Sequence, residues 1–129
     1  MTKEIAEAKM FRYGWYGDGG LGEAMIRMIL AGRKTATASP AYDSKAADRV
    51  PGDELSLVDK HGRIRGRVLV TAVETLPLSE FDEALASELG LPLADALEKL
   101  AFANGRRLRD DEEMRVVRFR LISPPLPPR

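Results

Sequence analysis

A short segment around residue 34 concentrates side chains that could act as a base and a nucleophile. From residue 32 it reads Gly-Arg-Lys-Thr-Ala-Thr, which places Lys34 three residues before Thr37. A desolvated lysine amine can serve as a general base, and a threonine hydroxyl becomes a nucleophile when a base removes its proton. The residue types alone favour a structural role, because cations stabilise helix ends and threonine suits a strand.

The composition restricts what other chemistry is available. The 129 residues contain no cysteine and one histidine, His61. Disulfides, thiolate zinc sites and a cysteine nucleophile are excluded, together with two-histidine metal sites and most histidine-based triads. We therefore expect no metal and no cofactor. His61 lies in a predicted hairpin turn, where a solvated role is favoured over a catalytic one.

Positive and negative charges cancel, with 20 Lys plus Arg against 20 Asp plus Glu. Zero net charge argues against a protein that coats nucleic acid through its overall positive charge, but it permits a local basic groove. Arg63, Arg65 and Arg67 alternate along a predicted strand and would share one face. They are a candidate RNA surface, and an ordinary solvated surface is equally compatible with the pattern.

Hydrophobic periodicity predicts an α+β fold with a small barrel-like sheet, and the length fits one domain over 1–129. Strands are predicted at 11–16, 35–39, 54–59, 64–73 and 114–122. Helices are predicted before a stop at Gly32, over 79–88 with Ser79 as the cap, and over 93–103. A loop is predicted at 40–52, with a turn at Pro51-Gly52, and the proline-rich residues 123–129 are predicted to form an extended tail.

Residues 17–22 match the pattern G-x-G-x-x-G. Dinucleotide sites with this pattern need a doubly wound sheet, which the predicted elements do not form, so a Rossmann site is rejected. A glycine turn that exposes helix amides to an anion stays open. A flexible turn before a helix is the favoured interpretation.

Glu88 lies within the apolar stripe of its predicted helix, three residues after Leu85 and seven after Phe81. A carboxylate at that position needs a partner or a cleft, because burying it alone is costly. The alternative, that Glu88 reaches solvent from the last turn, is equally favoured.

The segment Leu30–Ser39 resembles the signature of the ASCH domain family, whose members are relatives of the PUA fold. The resemblance spans about Trp15 to Ile122, and it includes Gly17-Asp18, Tyr42, Pro51-Gly52-Asp53 and Glu88. It implies a small PUA-like β-barrel with surrounding helices. It also implies a cleft in which residues 32–37 face Glu88.

One branch of the family consists of bacterial N(4)-acetylcytidine amidohydrolases, and the sequence also resembles larger ASCH domain proteins. Other members of the family are described as RNA-binding modules or ribonucleases. The resemblance implies that Lys34, Thr37 and Glu88 are catalytic. Thr37 would be the nucleophile or position water, Lys34 would act as a base or polarise the carbonyl, and Glu88 would hold Lys34 or activate water. Substrate or RNA contacts are expected from Arg33, Thr35, Gly17, Asp18, Tyr42, Arg63, Arg65 and Arg67.

The expected function is therefore binding of RNA or a modified nucleoside, with hydrolysis of the acetyl amide of N(4)-acetylcytidine. The alternatives are a non-catalytic RNA-binding module and a ribonuclease. Lys34 and Thr37 would point to opposite faces of a regular strand, so joint action requires a bulge or an irregular turn. No apolar run could span a membrane and the first residues lack a secretory signal, so no membrane partner and a cytoplasmic location are expected.

Overall fold

The computed structural model describes residues 10–42 and 49–123. Its five-stranded mixed sheet forms a half-barrel. The strands are β1 (Met10–Arg12), β2 (Ala36–Pro40), β3 (Glu54–Val58), β4 (Ile64–Pro77) and β5 (Glu113–Ser123). The helices are α1 (Leu21–Leu30), α2 (Glu83–Leu89) and α3 (Leu93–Asn104), and a 3-10 turn at Leu78–Glu80 precedes α2. The predicted α+β class is confirmed.

The strand order is β1-β3-β4-β5-β2, so the long central strands β4 and β5 carry the shorter ones on either side. β1 runs parallel to β3, and the other pairs are antiparallel. β4 has irregular register at two places along β5, between Arg67 and Val68 and between Val70 and Ala72. Such bulges bend and twist a strand, as curvature into a half-barrel requires.

The two faces of the sheet carry separate apolar clusters. On β5, Met114 and Val116 pack in a cluster with residues of α2 and α3, whereas Val117 and Phe119 pack in a cluster with residues of α1. This alternation follows from the two-residue period of a strand. It sets α1 on one side of the sheet and the α2–α3 pair on the other.

The first strand is shorter than predicted, since β1 ends at Arg12 rather than at residue 16. Gly14 has a φ of +96°, a left-handed conformation that breaks the strand and turns the chain towards α1. Asp18 then organises the loop, because its carboxylate accepts hydrogen bonds from the amides of Trp15, Gly20 and Gly22.

The start of α2 also differs from the prediction of a helix from Ser79. β4 continues to Pro77, and the following 3-10 turn is fixed by hydrogen bonds from Leu78 N to Glu112 O and from Ser79 N to Asp110 O. Asp82 is the actual cap, with its carboxylate accepting from Leu85 N at 2.8 Å. Asp82 directly precedes α2 in extended conformation, so its carboxylate can accept from amides of the first turn. Ser79 lies too far before the helix to do so.

Other element boundaries agree with those predicted from the sequence. α1 is followed by Gly32 and α3 by Gly105, both with positive φ. Pro51 and Gly52 form the predicted turn. The rest of the predicted loop at 43–48 and the tail at 124–129 lie outside the described residues. Within 10–42 and 49–123, no helix is long and apolar enough to cross a membrane.

The close approach of α1 to the β1–α1 loop predicts that Gly22→Ala destabilises the protein. A Cβ at residue 22 would lie 2.6 Å from Gly14 N and closer still to its Cα, and backbone cannot yield as a flexible side chain does. We expect the free energy of unfolding in urea to fall by about 1–3 kcal/mol, although alanine is the better helix former.

The matched control is Ala24→Gly on the exposed side of the same helix, which should lose about 1 kcal/mol from helix propensity alone. A Gly22→Ala protein at least as stable as the wild type would contradict the proposed close packing of α1 on the loop.

Candidate functional site

A cleft of about 120 Å³ lies where α1, β2, the end of α2 and α3 meet. Its polar side chains are Tyr13, Lys34, Thr37 and Lys99. The remaining lining is apolar, formed by Leu21, Met25, Ala38, Leu89, Leu91, Ala96, Leu100 and Ala103. The cleft is therefore a small apolar site with a few polar groups, the usual character of a ligand site.

Lys34 occupies an irregular segment between α1 and β2. The amides of Arg33 and Lys34 both donate to the carbonyl of Met28, which holds this segment against the last turn of α1. β2 begins only at Ala36, so strand alternation does not separate Lys34 from Thr37. The two side chains line the same cleft, and the predicted irregularity is confirmed.

The Lys34 amine is almost completely removed from solvent, with 5% of the residue exposed. Its Nζ donates to Ala36 O at 2.7 Å and to Leu89 O at 3.2 Å. Burial lowers the pKa of Lys34 from 10.5 to about 7, because desolvation penalises the charged form. A neutral amine has two N–H groups and one lone pair. Because the two N–H groups donate to the two carbonyls, the lone pair remains available to accept a proton.

Tyr13 places a phenol beside this amine. Lys34 Nζ lies 6.0 Å from the centroid of the Tyr13 ring. The Tyr13 hydroxyl is buried without a hydrogen-bond partner among the described residues, and Thr37 lies next to it at a geometry short of a full hydrogen bond. Burial raises the pKa of Tyr13, so its O–H stays protonated and can donate to a ligand.

The structure does not bring the Glu88 carboxylate to Lys34. Glu88 Oε1 accepts from Arg118 Nε at 2.8 Å, and Arg118 also reaches Glu74 at 2.7 Å. Hydrogen bonds to Glu88 and then to Glu74 raise the pKa of Arg118. Lys34 makes no ion pair within the described ranges 10–42 and 49–123. The expectation that Glu88 holds Lys34 is therefore corrected. The Lys34 amine donates to backbone carbonyls, and the Glu88 carboxylate binds the Arg118 guanidinium instead.

Glu88 contributes to the site through its backbone instead. Its carbonyl accepts from Thr35 N at 2.8 Å, which fixes the segment after Lys34 to the end of α2. The Thr35 amide is therefore occupied by this hydrogen bond and is not free to bind a substrate in this conformation. The Thr35 side chain is exposed.

The glycine-rich loop before α1 contains its own anion. Asp18 is 3% exposed, and its carboxylate accepts from Gly20 N and Gly22 N at the start of α1. The hydrogen bond from Gly22 is the main reason that the pKa of Asp18 is lowered. Asp18 thus fills the position that an external anion would take. Its role is to fix the loop, whereas Gly17 is an exposed turn residue with a φ of +91°.

The three alternating arginines are all engaged with carboxylates. Arg63 Nε lies 2.9 Å from Asp59, Arg67 lies 2.7 Å from Glu54, and Arg65 contacts both Glu23 and Asp59. The hydrogen bond from Arg65 lowers the pKa of Glu23 to about 2. The expected shared strand face is corrected in one respect, because Arg63 lies before β4 begins.

Arg63 and Arg65 belong to a second, polar cleft of about 630 Å³ that also includes Tyr13 and His61. His61 is exposed in its turn, and its amide donates to Asp59. Its predicted solvated position is confirmed. The two clefts have Tyr13 in common, and their other lining residues differ.

The remaining predicted contact residues lie outside the lining of the Lys34 cleft. Arg33 is exposed directly after α1. Tyr42 is exposed, and its hydroxyl accepts from Arg106 at 2.7 Å. Sequence reasoning missed Tyr13 and Arg118. Their positions depend on how the β1–α1 loop and β5 pack, for which the residues themselves carry no local pattern.

No protein-family model and no curated protein matches the sequence. Among solved structures, an ASCH domain from Lactobacillus crispatus JV V101 is similar, with a TM-score of 0.69 and 18% identity over 88% of this chain and 80% of that one. A DUF984 protein from Enterococcus faecalis V583 has a TM-score of 0.69 and 19% identity over 88% of this chain and 76% of that one. The chain has the fold of an ASCH domain, and the predicted PUA-like fold is confirmed.

The buried amine predicts a specific pH dependence of stability. The unfolded chain has the ordinary Lys34 pKa of 10.5 and the folded protein a pKa of about 7. Between these values the unfolded state binds more protons, so the free energy of unfolding rises with pH by up to about 1.4 kcal/mol per pH unit. Below about pH 7 both states are protonated, and this contribution becomes constant.

Urea denaturation from pH 7 to 10 should therefore show this rise in the wild type and lose it in Lys34→Met. The control is Lys99→Met, which removes an exposed lysine from the same cleft and should retain the rise. Parallel pH dependence in the wild type and Lys34→Met would show that Lys34 is not buried as a neutral amine.

Proposed function

We propose that the Lys34 cleft hydrolyses an acyl amide on a nucleobase, with N(4)-acetylcytidine as the substrate. The observation that carries this proposal is the desolvated Lys34 amine, which donates to two carbonyls and lines the same cleft as Thr37. A lysine with a pKa of about 7 is a suitable general base at neutral pH.

In the proposed reaction, Lys34 Nζ accepts the proton of the Thr37 hydroxyl as Thr37 Oγ attacks the acyl carbonyl carbon. The tetrahedral intermediate collapses by breaking the C–N bond, and the protonated Lys34 returns the proton to the departing amine nitrogen. Water then attacks the acyl-threonine ester with Lys34 again as the base, which releases acetate and restores Thr37. This sequence balances protons and needs no cofactor.

Tyr13 supplies the stabilisation that the developing oxyanion needs. Its buried hydroxyl has no hydrogen-bond partner among the described residues, and burial raises its pKa, so it can donate to the negative oxygen. A preorganised donor in a dry site costs little reorganisation during reaction. Glu88 is assigned a positioning role, because its carbonyl holds Thr35 and its carboxylate binds Arg118 on β5.

The size and lining of the cleft favour a small acyl group as the part that enters. A volume of about 120 Å³ equals that of about four water molecules in the liquid. The apolar lining suits a methyl group, while Lys34, Thr37 and Tyr13 supply the polar contacts near the carbonyl. We therefore place the acyl group in this space and the ribose towards the solvent.

The alternative of a non-catalytic RNA-binding module on Arg63, Arg65 and Arg67 receives less support. Each guanidinium lies within ion-pair distance of a carboxylate, which offsets much of the charge that a phosphate backbone would need. Release of counterions from phosphates is the main source of such binding. A ribonuclease would need a cationic path for RNA to the cleft, and Arg63, Arg65 and Arg67, which are paired with carboxylates, give little support for one.

Incubation with N(4)-acetylcytidine should yield cytidine and acetate, which chromatography separates. We expect Lys34→Ala and Thr37→Ala each to reduce kcat by at least about 100-fold, because they remove the base and the nucleophile. Tyr13→Phe should lose about 100-fold while retaining the ring. Arg107→Met is the control, since it removes an exposed cation outside the cleft lining and should remain active.

No release of cytidine by the wild type, or equal release by Lys34→Ala, would refute the proposed reaction. Thr37→Ser gives a further check, because it keeps a hydroxyl at the same place and should retain measurable turnover.

The pH dependence of kcat/KM gives an independent prediction. Because the base must be neutral, kcat/KM should rise as the pH increases through about 7 and then reach a plateau. A profile that rises only near pH 10 would mean that the lysine has its ordinary pKa and is not the base described here.

A further inference from the structure

Two exposed aromatic side chains near the cleft have no role in the reaction as described. Trp15 is 40% exposed and Phe102 is 51% exposed. Their ring centroids lie 5.7 Å apart with an interplanar angle of 31°. Large aromatic rings that remain this exposed are common where a partner with one flat apolar face binds.

Both residues belong to segments that line the Lys34 cleft. Trp15 is in the β1–α1 loop, between the cleft residues Tyr13 and Leu21. Phe102 is on α3, next to the cleft residues Leu100 and Ala103. The contact between the two rings therefore joins the β1–α1 loop to α3, the two segments that carry these lining residues.

Hydrogen bonds with Asp18 fix the backbone of the loop that carries Trp15. Trp15 N donates to the Asp18 carboxylate, and Trp15 O accepts from Asp18 N. Asp18 also binds the start of α1 through Gly20 and Gly22. The indole is thus placed by a fixed backbone and not by a loosely held loop, which reduces the entropy lost when a ligand stacks on it.

The position of the acyl group in the cleft determines where the nucleobase lies. If the acyl group occupies the space of about 120 Å³ beside Lys34 and Thr37, the heteroaromatic ring that bears the amide lies near the entrance. A planar ring there needs an apolar surface, and indole and phenyl faces provide one. Stacking of a base on an aromatic side chain is tolerant of base identity and is energetically substantial.

We infer that Trp15 and Phe102 form a stacking platform that binds the nucleobase carrying the scissile amide. This inference rests on the proposed function for the placement of the amide, and it assigns the recognition of the ring to residues outside the catalytic group. The ligand class is a planar nitrogen heterocycle, here cytosine. Trp15 and Phe102 are binding residues that touch the base and take no part in proton transfer.

Trp15 is the single tryptophan of the chain, so its fluorescence reports on the platform directly. The wild-type protein is titrated with cytidine, the inert product of the proposed reaction, and separately with ribose, which lacks a base. Cytidine should quench the Trp15 emission in a saturable manner and ribose should not. Phe102→Ala should raise the Kd for cytidine at least about fivefold, the lower limit for losing one stacking contact.

The matched control is Leu97→Ala, which removes another exposed apolar side chain from α3 and should leave the Kd unchanged. In turnover of N(4)-acetylcytidine, Phe102→Ala and Trp15→Ala should raise KM with little change in kcat. Trp15→Phe retains an aromatic face and should recover most of the lost affinity. Circular dichroism of each variant verifies that the fold is intact.

The outcomes separate this inference from the proposed reaction. Turnover without a Trp15 response to cytidine, or with an unchanged KM in Phe102→Ala and Trp15→Ala, overturns the stacking platform and leaves the reaction standing. Saturable quenching by cytidine without turnover supports the platform and refutes the reaction. Equal quenching by ribose and cytidine, or an equal Kd in Phe102→Ala and the wild type, also overturns the platform.

Discussion

The burial of one lysine amine is the constraint on which the site depends. Lys34 is held between the end of α1, the start of β2 and the end of α2, through Ala36 O and Leu89 O. Lowering its pKa from 10.5 to about 7 corresponds to about 5 kcal/mol against the charged form, at about 1.4 kcal/mol per pH unit. Gly90, which follows α2 with a φ of +94°, packs against Met28, because a Cβ there would approach Met28 Sδ to 3.0 Å. A cost of this size is typical of a functional site.

Charges elsewhere compensate one another and position the elements around that amine. Asp18 satisfies the amides at the start of α1, and Glu88 joins α2 to Arg118 on β5. Arg65 joins β4 to Glu23 on α1. The zero net charge of the chain is therefore reflected in local pairs, and the arginine surface expected from the sequence is largely neutralised. What remains distinctive is an apolar cleft with one buried lysine amine.

The sequence predicted the α+β class and most element positions, because local patterns encode helices, turns and strands. The resemblance to ASCH domains implied that Lys34 and Thr37 share a cleft, and both residues line one. The sequence also predicted correctly that the segment between them must be irregular. The partner of Glu88 was not predictable, since Arg118 is 30 residues away and meets it only through packing of α2 on β5. Tyr13 was missed for the same reason. Its strand was expected to continue, whereas Gly14 and the Asp18 carboxylate turn the chain towards the cleft.

The protonation state of Lys34 is the most direct test of this account. The ¹³Cε chemical shift of labelled lysine, assigned by comparison with Lys34→Met, is followed by NMR as the pH is raised. We predict that the Lys34 resonance titrates with a midpoint near 7, well below the ordinary value of 10.5. A Lys34 midpoint close to 10.5 would mean that the amine is charged at neutral pH, and it would contradict the central claim.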